Sequence, residues 1–157
     1  MKRRYIFTVV AGRSGQAYLK DVFKRYVPSC YPAWEEPVIN RIFKGHMGTV
    51  ENHLRRKYFE TNELLGRGKV LTAFEKNDSA YLEKIVTKRV QSIDRTMVKT
   101  GSSLYVDVSK FFARGLHQGF IAILPKLSLI RLLRDPVANM RSFLNRDKDF
   151  FLDNNSP

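Results

Sequence analysis

The stretch LSLIRLLRDPVANMRSFLNR, residues 127–146, decides how this chain is read. An apolar run ends on Arg-Asp-Pro and then turns amphipathic, the pattern of a buried strand, a tight βα turn and a helix. Pro136 suits the first helical position, where its missing N–H has no intrahelical partner to lose. Asp135 suits the N-cap. Val137, Met140 and Leu144 recur at helical spacing and are expected to face a core. Arg134, Ala138 and Ser142 stand four apart and fall on one side once the helix starts. That side combines a guanidinium fork, a small gap and a hydroxyl near a helix N-terminus, a suitable place for a phosphate. The alternative for this segment alone is purely structural: Arg134 pairs with a carboxylate and Ser142 is solvated.

Outward from this segment, two more strands announce themselves. Residues 5–10 are β-rich and lead into AGRSGQ, a Gly-bearing turn, and then AYLKDVFKRY, where Leu19, Val22, Phe23 and Tyr26 share a helical face. SLYVDV is a second strand and LSLIRLL a third. VPSCYPAWEEP, punctuated by three prolines, reads as a loop. Residues 38–99 read as mainly helical, in three pieces broken near KGHMG and GRGK. Within them Asp78 or Ser79, with Glu83 a turn later and Gly101 beyond, brackets a long helix. SKFFARGLHQGFIAIL reads as a helix or a turn followed by one. Strands alternating with helices imply an α/β fold: a three-layer, P-loop-like domain with a mainly parallel central sheet flanked by helices. Ligands of such sheets bind beyond the carboxyl ends of the strands. AGRSGQ, DVSK and RDP each follow a strand and are therefore expected on one edge.

The 157 residues make one domain with a helical insertion at about 38–99, long enough for a real core. A hydrophobic content of 43% excludes a disordered chain, and no apolar run approaches a membrane span. MKRRYIFTVVAG has the basic start of a signal peptide, but its apolar run is short and AGRSGQ is a poor cleavage site, so it reads as the first strand. The single cysteine, Cys30, leaves no internal disulfide and points to a reducing, cytoplasmic setting. The formal charge of +13 and pI near 10.1 favour anionic partners. The basic residues are spread through KRR, LRRK, TKR and IRLLR rather than gathered in a tail.

VVAGRSGQAYL follows a strand and opens a helix, so its backbone N–H groups can cradle an anion, with Gly12 and Gly15 permitting close approach. It is not a Walker A loop: that motif ends in Gly-Lys-Ser/Thr, and here the spacing brings Ala17, Tyr18 and Leu19. Taken with RDPVANMRSF, the loop resembles the cofactor-binding pair of the sulfotransferase family, of the carbohydrate and bacterial type. That family uses 3'-phosphoadenosine 5'-phosphosulfate. RSGQAYL is similar at Arg13, Ser14, Gly15 and Leu19 to the loop that grips the 5'-phosphosulfate there. Arg134, Asp135, Pro136 and Ser142 match the element that holds the 3'-phosphate. SLYVDVSKFFARGL resembles the family's middle strand at Asp107, Ser109, Phe112 and Gly115.

The resemblance implies that Arg13, Ser14, Gly15, Gln16 and Ala17 hold the phosphosulfate, and Arg134 and Ser142 the 3'-phosphate. It implies a base in YPAWEEPV, Glu36 first and Glu35 second. Sulfuryl transfer carries less negative charge than phosphoryl transfer, so arginine and backbone donors can stabilise it, and no metal is expected. His46, His53 and His117 are alternative bases by chemistry alone and show no metal-ligand spacing. The chain departs from the family at Gln16 and Ala17, where hydroxyl residues are usual, and at Lys110, where histidine is usual. Lys110 is assigned to the acceptor or the sulfonate. The resemblance spans nearly all of this chain but only the front part of a typical member, whose C-terminal part is expected to be lacking.

The expectation is therefore a sulfotransferase that moves a sulfonate to an acceptor hydroxyl, on a carbohydrate in preference to a small phenol. Nucleotide co-substrate and hydroxyl acceptor are its expected partners, nucleic acid is not, and no transmembrane segment is expected. The alternatives are a truncated or inactive nucleotide-binding homologue, a basic nucleic-acid-binding domain, and a magnesium-dependent kinase-like enzyme.

Overall fold

A computed structural model describes residues 3–36, 45–58, 60–124 and 126–145. Four strands, β1 (Arg4–Val10), β2 (Cys30–Ala33), β3 (Leu104–Asp107) and β4 (Leu127–Leu132), form one sheet in the order β2-β3-β1-β4. Every pairing is parallel. The helices are α1 (Gln16–Tyr26), α2 (Gly45–Tyr58), α3 (Thr61–Leu64), α4 (Lys69–Glu75), α5 (Ser79–Thr100), α6 (His117–Ile123) and α7 (Pro136–Leu144). The fold is thus α/β, with helices on both sides of a parallel sheet.

Alternation along the strands builds the two layers of core. Tyr5, Phe7 and Tyr105 point toward Ile85, Val86, Ile93 and Met97 of α5 and Phe120 of α6. The ring centroids of Phe112 and Phe120 each lie 4.8 Å from that of Phe7. On the other face Leu104, Val106 and Val108 pack with Leu19, Phe23 and Val27. Tyr26 does not join them and is exposed, because the packed stripe of α1 runs through Leu19, Phe23 and Val27, four residues apart, and Tyr26 lies beside it.

β2 lies inside the segment expected to be a loop. Its prolines are compatible with a strand because β2 is an edge. The carbonyls of Ser29 and Ala33 accept hydrogen bonds from β3, so Pro32, of opposite parity, turns its nitrogen away from the ladder, where no N–H is needed. The helical insertion has the expected break near GRGK, between α3 and α4, and further breaks at Glu60 and before Asp78. Gly45 opens α2 rather than separating two described helices. Residues 38–44 and the FFLDNNSP end lie outside the described residues. Helix α5 starts where Asp78 caps it through the Tyr81 N–H and stops at left-handed Gly101.

At α7 the N-terminus is as expected: Pro136 comes first and Asp135 accepts the Ala138 N–H at 2.7 Å. Its apolar stripe is not as expected. Val137, Met140 and Leu144 are 59%, 60% and 60% exposed, so they do not face a core. The helix instead lays its Asn139 and Ser142 side against the loop after β1.

Candidate functional site

Parallel pairing sends the carboxyl ends of β1, β3 and β4 to one edge, and their three following turns line a single cleft of about 630 Å³. From the β1 turn come Arg13, Gly15, Gln16 and Ala17; from the β3 turn Lys110; from β4 and α7 Arg134 and Ser142. Trp34 and Glu35, just past β2, line the cleft too, with Gly12 and Phe143.

The β1 loop folds back by left-handed residues. Gly15 takes φ 92° at the start of α1, which only glycine does at no steric cost. Arg13 takes φ 64° and Glu35 φ 49°, uncommon values for side-chain-bearing residues, and both lie on the cleft. Gly12 is close-packed: a Cβ there would sit 3.2 Å from Cζ of Phe143.

Helix α7 clasps this loop. Asn139 Nδ2 donates to the Gly12 carbonyl at 3.0 Å and to Ser14 Oγ at 3.1 Å. Arg134 Nη1 donates to the Arg13 carbonyl at 2.6 Å, and Arg13 Nε donates to Ser142 Oγ at 3.1 Å. The residues that sequence assigned to the two ends of one ligand are thus brought within hydrogen-bond reach of each other. Ser14 serves the loop from behind, accepting from Asn139 while its N–H donates to Gln16 Oε1 at 3.3 Å. Lys110 Nζ stands 5.3 Å from the Phe111 ring, a cation–π distance.

The two candidate bases part company. Glu35 lines the main cleft, whereas Glu36 lines a small internal cavity of about 10 Å³ shared with Arg89, Asp107 and Ser109. Tyr31 donates its hydroxyl to Glu36 Oε1 at 2.7 Å. Burial raises the Glu36 carboxyl above the ordinary glutamate range, opposed by the Tyr31 hydrogen bond and the Arg89 cation. Burial, with Glu36 alongside, pushes the Tyr31 phenol up to about 12. The histidines stand elsewhere: His46 and His53 are exposed on α2, and His117 sits beside Phe74 and Phe112. Among the described residues no group of three or more His, Cys, Asp or Glu could hold a metal ion, and no helix is long and apolar enough to cross a membrane.

Sequence reasoning missed Asn139, Trp34 and Arg89. Asn139 stands one helical step from Ser142 on the same face, a signal that spacing contained. Arg89 sits four residues from both Ile85 and Ile93, so a lone cation on an apolar stripe marked it as buried. Comparison with family models, with curated proteins and with solved structures gave no match.

Proposed function

We propose that this chain is a sulfotransferase that transfers a sulfonate from 3'-phosphoadenosine 5'-phosphosulfate to an acceptor hydroxyl, on a carbohydrate. The observation that carries the proposal is the meeting of the Arg13 loop and the Arg134–Ser142 element at one rim, clasped by Asn139. Its volume lies in the range of ligand clefts, and its donors suit an anion with phosphate at two places: loop N–H groups at the start of α1, two guanidinium groups and a hydroxyl. When bound, the donor supplies a sulfonate whose S–O bond to phosphate breaks as the acceptor oxygen bonds to sulfur.

The chain's own residues would act around that event as follows. Arg13 and the loop N–H groups hold the 5' end, with Gln16 at the head of α1. Arg134 and Ser142 exchange their present contacts with the loop for the 3'-phosphate. Lys110 faces the charge that builds on the transferring group. Glu36 accepts the proton of the acceptor hydroxyl, its carboxyl raised by burial above the ordinary glutamate range. Glu35, already on the cleft wall, is the second choice for that proton.

Titration calorimetry with adenosine 3',5'-bisphosphate against adenosine 5'-monophosphate tests the reading. Charge-assisted hydrogen bonds to the additional phosphate should tighten binding by about ten- to a hundredfold, and Arg134→Ala should abolish the difference. Equal affinities in the parent chain would overturn the assignment. Salt-sensitive polynucleotide binding without that preference would favour a nucleic-acid-binding domain instead.

A further inference from the structure

We propose that Arg89 is a positioning residue, the buried guanidinium through which helix α5 sets both the Glu36 carboxyl and the turn bearing Lys110. The proposal rests on reading Glu36 as the proton acceptor, and it deepens that reading. A cation on an apolar stripe is costly for folding unless it is fully paired, and hydrocarbon of similar volume is often at least as stable there. The Arg89 side chain is only 4% exposed, with Ile85 and Ile93 a turn away on either side. Its partners explain what it does there.

Arg89 Nη2 donates to the Tyr105 hydroxyl at 2.9 Å and to Asp107 Oδ2 at 3.3 Å. One partner leads to Glu36 in the inner cavity, the other to the turn that carries Lys110 into the cleft. The Tyr105 ring stacks on that of Tyr31, 6.1 Å between centroids and 16° between planes, and the Tyr31 hydroxyl holds Glu36. Asp107 Oδ1 accepts the Ser109 N–H at 2.9 Å, and the Ser109 carbonyl accepts Thr8 Oγ1 at 3.0 Å, which fixes the backbone immediately before Lys110. Glu36 and Arg89 also border the same internal cavity. The groups facing Glu36 are Tyr31 from β2, Arg89 from α5, Asp107 from β3 and Lys20 from α1. Without the Arg89 charge, the Asp107 anion faces Glu36 less opposed, so Glu36 holds its proton to higher pH.

The chain's single tryptophan, Trp34, stands next to this site in sequence and reports it without any catalytic assay. Its fluorescence, followed against pH in the full chain, should show a transition that Glu36→Gln removes. Arg89→Met should move that transition upward, Arg89→Lys should leave it near the parent position, and Asp107→Asn should move it downward by deleting the like charge. Folding of each variant is checked by circular dichroism. An unmoved transition in folded Arg89→Met overturns the proposal, as does a parent curve with no transition that Glu36→Gln removes. Should Arg89→Met not fold, Asp107→Asn decides, and an unmoved transition there is equally fatal. Binding of adenosine 3',5'-bisphosphate is measured on the parent chain as the separate test of the donor reading. Absent binding in the parent, with the Trp34 shifts as described, counts against the donor reading alone and supports the Arg89 assignment.

Discussion

Asn139 gives the sharpest test of how the cleft is assembled. It makes two hydrogen bonds to the β1 loop, at 3.0 and 3.1 Å, and both are part-buried. A net neutral hydrogen bond contributes about 0.5–1.5 kcal/mol, and water can partly replace both at a part-buried site. Asn139→Ala should therefore lower folding stability by about 1 kcal/mol in urea titrations. Its larger effect should fall on binding, because a loop released from α7 must be ordered by the ligand. One hydrogen bond's worth of reordering is about tenfold in affinity for adenosine 3',5'-bisphosphate. Asn139→Asp separates geometry from charge. An aspartate can only accept, so its bond to Ser14 must reverse, with the hydroxyl donating, and the Gly12 carbonyl loses its donor; it also adds a negative charge to the proposed anion site. It should bind more weakly than the alanine variant at low salt and approach it at high salt. If Asn139→Ala binds the bisphosphate as the parent does, the clasp is not what orders the loop, and the reasoning fails.

Two further outcomes follow from packing and ionisation. Gly119 of α6 leaves no room: a Cβ there would lie 2.7 Å from Val86 Cγ2, so Gly119→Ala should destabilise the fold by about 1–3 kcal/mol in chemical denaturation despite its better helix propensity. Burial raises the folded-state Glu36 carboxyl above its unfolded value, so the folded chain binds the proton more tightly. Stability should then fall as pH rises from the ordinary glutamate range through the raised one. Glu36→Gln, whose amide oxygen can still accept from Tyr31, should flatten that slope and be the more stable form at neutral pH, as thermal melts across pH would show.

The sequence made the strand-turn-helix units legible because each combines a signal of period with a signal of chemistry. Residues 127–146 carried an apolar run, an N-cap and a first-turn proline together, and strand, turn and helix formed in that order, but the strand expected to be buried is an edge strand with no buried residue and Leu129 half exposed. Local pattern misled where an element's partner decides its role. Pro32 suggested a loop, yet an edge strand tolerates it; Val137, Met140 and Leu144 suggested a buried face, yet the polar side of α7 found the tighter contact. Glu35 and Glu36 are neighbours with similar chemistry in sequence. Backbone conformation at Glu35, φ 49°, separates them, turning one to the cleft and the other to the inner cavity. No spacing rule reports a left-handed residue that is not glycine.

Register explains why the two arginine-bearing turns meet at all. In the parallel ladder Val9 lies opposite Arg131 and Val10 opposite Leu132. Continued past the strand ends, that offset sets the Gly12 backbone level with Arg134, and Arg13 with the start of α7. Parallel direction alone would place both turns on the same edge; it would not place them level. A slip of one residue between β1 and β4 would turn Arg134 to the opposite face of the sheet and shift α7 by a strand step of about 3.3 Å. The Asn139 bonds to Gly12 and Ser14 would then have no geometry to form in. The meeting of the two arginine-bearing turns is therefore decided in the strand interior, by the fit of Tyr5 to Val10 against Leu127 to Leu132, before any of the polar residues on the rim are specified.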